Sequence, residues 1–330
     1  MNVETVRLIS WRVLIGNLLR RGIVLIVLVL LAAYFSSQTD RFMQSGNLVN
    51  ILQQNAAVII VTVGMTLTML VGGIDLSVGS VAALGGAISA GLIVNHGQAF
   101  EVAVALTLVM GFCIGLINGG LIVYGQLPPF VATLAMLGIA RGLTLLYTNG
   151  GTISGIGDTY TFWGRGRIDM PIFGAVPVPI LVTIAVVILF TWLMSQTRYG
   201  LHVYAIGGNE ETARLAGVAV NRVKLITYGL SAMLAALAGM LLTARLFSAQ
   251  PQLAVGLELE AIAAAVLGGV SLFGGVGNIL GAVGGGLLVG VLTNGMNLLR
   301  VPSYQQQMTR GVVLVGAVAI DVLSKRLERR

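Results

Sequence analysis

The sequence predicts an all-α integral membrane protein with about ten transmembrane helices and both termini in the cytoplasm. Three observations predict it. Only 9% of the 330 residues are charged and 56% are hydrophobic, whereas a soluble domain carries roughly 25% charged residues to face water. Apolar stretches of the roughly 17–25 residues that cross a hydrocarbon core as helix recur from Gly22 to Leu323. Lysines and arginines gather in polar segments that fall on one side when the span count is even.

Along the chain, spans are expected at 20–36, 49–71, 77–95, 102–124, 129–148, 177–195, 224–246, 257–273, 279–299 and 308–324. The first apolar run, Gly22 to Phe35, is short, and Leu18 and Leu19 or tilt extend it. No convincing small-residue cleavage site follows it, so no removable signal is expected. Glycine-rich turns at 72–76 and 274–278 separate the second span from the third and the eighth from the ninth. The one cysteine, Cys113, lies inside the fourth run, where a small buried residue is expected and no internal disulfide can form. The 45 glycines suit close helix approach in a bilayer. A single transmembrane domain, 1–330, holds all of this.

Orientation follows from the basic residues. Arg7, Arg12, Arg20 and Arg21 lie in segment 1–21. Arg198, Arg214, Arg222 and Lys224 lie in or beside loop 197–223, and Lys325, Arg326, Arg329 and Arg330 in tail 325–330. Arg41, Arg165, Arg167 and Arg300 fall on the opposite side. The excess marks the cytoplasmic face and accounts for the net charge of +7 without invoking nucleic acid. Segment 149–176 is then external, with Asp158 and Asp169 balancing Arg165 and Arg167.

The loop from Thr197 to Val223 is long, charged and punctuated by glycine, a surface suited to a partner protein. A repeat is visible in outline. GGIDLSVG at 72–79 and GGVSLFGG at 268–275 share Gly-Gly, a β-branched residue, Leu and a final Gly. Duplication into two pseudo-repeated halves and chance in a glycine-rich chain both explain it.

The chemical inventory excludes much. The only lysines are Lys224 and Lys325, and neither follows the Gly-x-x-x-x-Gly of a phosphate-binding loop, so this chain has no such ATP site. His96 and His202 lack acidic or cysteine neighbours at ligand spacing. They are expected as interfacial or loop histidines, with no metal site and no catalytic triad. Gly275 and Gly277 form half of a dinucleotide fingerprint without the strand–helix context it needs. No enzyme is expected.

Ionisable groups inside a membrane need a reason. Gly72 and Gly73 are expected to break a helix, with Asp75 or Ser77 capping the next; Asp75 otherwise faces a passage or partner. Arg141 sits mid-span and must meet water, a carboxylate or backbone carbonyls. Glu258 and Glu260 open a helix whose dipole they favour, or serve as an external gate or docking contact. Asn55, Asn118, Asn294 and Asn297 are either interhelical hydrogen bonders or partners for sugar hydroxyls; Asn294 and Asn297 share a helix face.

Several long stretches stand in a distinctive order. They are NLVNILQQNAAVIIVTVGMTLTMLVGGIDLSVGS (47–80), PPFVATLAMLGIARGLTLLYTNG (128–150), YAIGGNEETARLAGVAVNRVK (204–224) and ARLFSAQPQLAVGLELEAIAAAVLGGVSLFGG (244–275). Through them the chain resembles, over nearly its whole length, the permease subunit of bacterial sugar ABC importers of the ribose-type branch. The resemblance implies a multi-pass protein of the bacterial inner membrane, with two permease copies per transporter. It also implies a cytoplasmic ATPase pair that uses ATP and Mg, an external sugar-binding protein and a monosaccharide substrate. No cofactor is implied for this chain. The 204–224 stretch resembles the family's coupling element, which places Gly207, Gly208, Asn209, Glu210, Glu211, Arg214 and Gly217 against the ATPase. Asn209 would cap a short helix with Glu210 and Glu211 in its first turn. Thr212 interrupts the Glu-Ala-Ala run of other importer classes. Asp75, Asn118, Arg141, Asn294 and Asn297 are candidates for the translocation path, and Glu258 and Glu260 for the external gate. Two other readings compete: an ion-coupled secondary transporter using Asp75 or Glu260, and a membrane scaffold whose loop docks a soluble partner.

Overall fold

The computed structural model describes residues 24–171 and 174–328. The N-terminal segment 1–21, the start of the 20–36 span and Arg329 and Arg330 lie outside the described residues. The chain runs α1 (Val24–Gln38), α2 (Ser45–Leu70), α3 (Val78–Val94), α4 (Phe100–Val123), α5 (Pro129–Thr148), β1 (Ile153–Ser154), α6 (Gly157–Arg165), β2 (Arg167–Met170) and β3 (Gly174–Pro177). It continues with α7 (Val178–Gln196), α8 (Arg198–Gly208), α9 (Glu210–Leu215), α10 (Val220–Leu246), β4 (Ser248–Ala249), α11 (Leu257–Leu267), α12 (Ile279–Leu298) and α13 (Ser303–Glu328).

Six helices among the described residues, α2, α4, α5, α7, α10 and α12, are long and apolar enough to cross a membrane. The protein is a multi-pass, all-α membrane protein. One expected span is not realised at full length. In place of 257–273 stands α11, only 11 residues long, about 16 Å of helix against a hydrocarbon core of roughly 30 Å. Gly268 and Gly269 end it, the latter at φ +84°. The loop 197–223 carries the short helix expected after Asn209, which is α9, and differs from its expectation only in a second helix, α8, that precedes it. His202 therefore lies in a helix rather than a loop, while His96 lies in the turn after α3.

Helix α10 is the centre, packed against α2, α3 and α4. Small residues permit this. Gly111, Gly115 and Gly119 recur every four residues, so they line one face of α4. A Cβ on Gly115 would run into the Tyr228 carbonyl and Gly229 of α10, and one on Gly119 would lie 3.0 Å from the Leu225 Cα. The α10 side of the seam is equally slim: Ala232 and Ala236, which face Gly111, are fully buried. With no water to drive helices together in lipid, this close van der Waals contact holds them.

Helix α4 buries the stripe that meets its neighbours, chiefly α10, and leaves the rest of its surface exposed. Cys113 lies off that stripe and is exposed, not buried as its apolar run suggests. Strand β1 and helix α6 fold onto the end of α10. Strand β1 pairs antiparallel with β4, Ile153 opposite Ala249. In α6, buried Tyr160 meets Ser89 Oγ at 2.6 Å, and the Gly164 carbonyl accepts from Gln53 Nε2 at 3.1 Å.

The glycine seam makes a paired test. Gly115→Val should cost about 1–3 kcal/mol through overpacking, read as a lower unfolding temperature in detergent. Gly120→Ala, with nothing within 4 Å of its new carbon, should leave the unfolding temperature unchanged.

Candidate functional site

Two arrangements carry chemistry, and they touch. The first is the break between α2 and α3. Gly72, at φ +79°, turns the chain out of α2. Beyond it Asp75 and Ser77 are completely buried. Asp75 Oδ1 accepts from the Ser77 N–H at 3.0 Å and the Ser77 hydroxyl at 2.5 Å; Oδ2 accepts from Ser231 Oγ of α10 at 3.1 Å. Asn118 Nδ2 of α4 donates to Ser77 Oγ at 3.0 Å. One buried carboxyl thus joins the head of α3 to α10 and, through Ser77, to α4. A polar group this deep persists only with such partners.

The expected cap does not form. Ser77 holds the N-cap position of α3 without a side-chain bond into the helix, because its hydroxyl is engaged by Asp75 and Asn118. Asp75 bonds the N–H of Ser77, which precedes the helix. Asn118 Oδ1 and Tyr228 Oη are buried without a hydrogen-bond partner among the described residues.

The other path candidates are not gathered here. Arg141 Nη1 donates to the carbonyls of Pro251 at 2.5 Å and Leu253 at 3.0 Å, the backbone solution to a mid-span guanidinium. Asn294 exchanges paired amide bonds with Asn47 of α2, both 3.0 Å. Asn297 Oδ1 accepts from Gln306 Nε2 of α13 at 2.9 Å. Glu258 and Glu260 sit in the first turn of α11, and Glu260 is ion-paired to Arg310 of α13. Sequence reasoning passes over Ser231, Tyr228 and Arg310. Only Arg310 leaves a signal: an intramembrane cation needs an acid, and Glu260 needs a base.

The second arrangement is the α8–α9 surface. Thr197 Oγ1 accepts from Gly200 N–H at 3.4 Å to cap α8; Asn209 Oδ1 accepts from Thr212 N–H at 2.8 Å to cap α9. Glu210 and Glu211 fill the first turn of α9, where the dipole favours them. Gly217, at φ +84°, stops α9, and the Val218 N–H reaches back to the Ala213 carbonyl at 3.0 Å. Glu210 pairs with Lys224 at 2.6 Å and Arg214 at 3.2 Å. Leu215 is 84% exposed at the end of this short helix. Partial burial works against the Glu210 charge, but Lys224 and then Arg214 outweigh it and hold the carboxyl below its ordinary range.

Helix α8 is keyed into both glycine-rich breaks at once. The Leu70 carbonyl, at the end of α2, accepts from the Gly275 N–H at 3.0 Å. Gly207 lies directly on that pair, and a Cβ there would collide with both atoms. Tyr204 Oη donates to the Gly277 carbonyl at 2.9 Å. Gly208, one residue on, has nothing within 4 Å of a Cβ position.

Spans around a buried polar break, with α8 outside them locked to that break, are the setting of a membrane permease. The chain belongs to the family described as branched-chain amino acid transport system, permease component, whose pattern matches residues 47–318. It is similar to the ribose import permease protein of Escherichia coli (strain K12), 45% identical over 299 residues that cover 90% of this chain and 92% of that one. The ribose import permease protein of Bacillus subtilis (strain 168) is 43% identical, covering 89% and 90% of the two chains. The xylose transport system permease protein of Haemophilus influenzae (strain ATCC 51907 / DSM 11121 / KW20 / Rd) is 33% identical, covering 92% and 96%. No solved structure matches the chain.

Gly207→Ala should lift α8 from the breaks, at about 1–3 kcal/mol. Hydrogen exchange should then quicken at Gly73 and Gly275, while Gly208→Ala leaves both protected. A second outcome concerns pH. Because the Glu210 carboxyl is held low in the fold, its stabilisation of α9 is complete at neutral pH. That contribution fades only as pH falls through and below the ordinary glutamate range. Protection of α9 amides, with exchange rates taken relative to the unfolded chain at the same pH, should fall there, and Glu210→Gln should flatten the response.

Proposed function

We propose that this chain is the membrane-spanning subunit of an ATP-driven importer that moves a monosaccharide, ribose or a related sugar, into the cytoplasm. The observation that carries the proposal is the 45% identity to a ribose import permease across 90% of the chain. Two copies form the passage, and a cytoplasmic ATPase pair supplies the work with ATP and Mg. A periplasmic or extracellular binding protein delivers the sugar. The chain lies in the bacterial inner membrane as one domain, 1–330, of about ten membrane segments, of which α11 enters only part-way, with segment 1–21, loop 197–223 and tail 325–330 on the cytoplasmic side.

The two breaks support a duplicated architecture. Each follows a helix ended by a left-handed glycine, Gly72 or Gly269. In each the next N–H reaches back five residues, Gly73 to the Thr68 carbonyl and Val270 to the Ala265 carbonyl, both 2.9 Å. In each a side chain then accepts from the N–H two residues on, Asp75 from Ser77 at 3.0 Å and Ser271 from Phe273 at 3.1 Å. The spacing between glycine and acceptor differs by one residue.

Coupling runs through the surface made by Gly207, Gly208, Asn209, Glu210, Glu211, Arg214 and Gly217. The ATPase grips α9 at Glu211, Arg214 and exposed Leu215. Closure of the ATPase pair moves α8, and Gly207 passes that displacement to both breaks together. Asp75 and Asn118 sit at the first break and hold α3 to α10 and α4 while the passage changes its opening from one face to the other. The permease needs only weak affinity for sugar, since tight binding opposes release.

Reconstitution in vesicles tests this. Import of D-ribose, D-xylose or D-allose should require ATP hydrolysis, the ATPase and the binding protein. Gly207→Ala should lower sugar moved per ATP by about tenfold while ATPase activity persists. Uptake by the chain alone, driven by an ion gradient, would sink the proposal.

A further inference from the structure

A cavity of about 550 Å³ opens between α11, α12 and α13, lined by Glu260, Ser303, Gln306, Gln307, Arg310 and apolar residues including Leu259. That volume falls in the range of small-molecule sites. It lies at the end of the bundle away from α8. The start of α12 follows Gly277, which Tyr204 of α8 contacts, and α12 is 20 residues long, about 30 Å. The head of α13, where Ser303 stands, is therefore at the opposite end.

The chemistry of the lining is unusual for a membrane protein with so few charges. Glu260 and Arg310 form an ion pair in the wall, both side chains partly buried. Arg310 turns one guanidinium nitrogen, Nη1, to Glu260. Its Nε–H is buried and has no partner among the described residues. A buried donor left unmade is expensive, and a site that leaves one is built to receive an acceptor. Gln306 is held by its bonds to Asn297 Oδ1 and the Val301 carbonyl, both 2.9 Å, and this fixes one wall.

The charges also select the occupant. An anion would meet Glu260 and a cation would meet Arg310, so a neutral guest is favoured. A carboxylate only accepts and a guanidinium only donates, whereas each hydroxyl does both. A polyhydroxylated ring satisfies the two at once, with its C–H face on Leu259. We propose that this cavity is the first sugar-binding station of the permease, with Arg310 Nε, Glu260 and Gln307 contacting the hydroxyls. The inference rests on the importer reading and adds where the sugar sits.

The experiment uses the complete transporter, with its ATPase and binding protein, in nanodiscs and vesicles. In a Cys113→Ser background, Gln307→Cys is labelled with a maleimide; Met308→Cys, on the exposed side of α13, is the control. D-ribose, D-xylose or D-allose should slow labelling of Gln307→Cys by about tenfold at saturation and leave Met308→Cys unaffected. Arg310→Lys keeps a cation beside Glu260 but removes the Nε–H. It should lower import by about tenfold while stimulation of the ATPase by the binding protein persists. Absence of protection by all three sugars, or wild-type import by Arg310→Lys, overturns the station. Protection by added phosphatidylglycerol instead of sugar also overturns it, in favour of a lipid headgroup. If the unmutated transporter imports a sugar in these cases, the importer reading stands and only the station falls. If it imports none of the three, both fall.

Discussion

The carbonyl of Leu70 closes one helix, and the amide of Gly275, from a break almost at the other end of the chain, takes it up at 3.0 Å. In hydrocarbon a broken helix is tolerated only where other protein groups satisfy the freed backbone. Here each of two breaks satisfies part of the other. Neither can be altered alone, and the arrangement of α2, α11 and α12 depends on both. The space above the bond is so small that only a residue without a side chain fits there, and Gly207 fills it. A helix lying outside the spans thereby becomes part of the interior.

The rest of the bundle distributes its burial around that joint. Helices α2 and α10 are each 67% buried along their apolar length and α12 61%, against 28% for α4, 28% for α5 and 33% for α7. Polar groups that need partners find them among the inner helices: Asp75, in the break between α2 and α3, finds Ser231 on α10, and Asn294 on α12 finds Asn47 on α2. The outer helices leave aliphatic residues such as Ile139, Leu146 and Ile188 exposed. Order in this protein comes from a few satisfied polar contacts and many glycine approaches, not from segregation of oil from water.

Much of this is legible in the chain. Apolar run length locates the helices, and the capping residue Asn209 with two acids behind it locates α9. Glycines 72 and 268 do mark breaks. What stays hidden depends on three-dimensional pairing. The short α11 reads as a span because its apolar run continues through Val270 and Leu272 after the helix has stopped. Asp75 looks like a cap, since nothing local reveals that Ser231, 156 positions away, supplies a donor. Asn294 and Asn297 have the residue type of a sugar site, yet Asn47 and Gln306 occupy them. Gly207 and Gly208 are indistinguishable as letters; only the atoms above them separate an obligatory glycine from an incidental one.

The two-residue ladder of β1 and β4 has a mechanical consequence. It stitches the excursion between α5 and α7 to the exit of α10, and Tyr160 rivets the same excursion to α3 through Ser89. The rim is therefore no loose flap. The same two helices, α3 and α10, are clasped by Asp75 beside the glycine joint, so this segment and that joint share one frame.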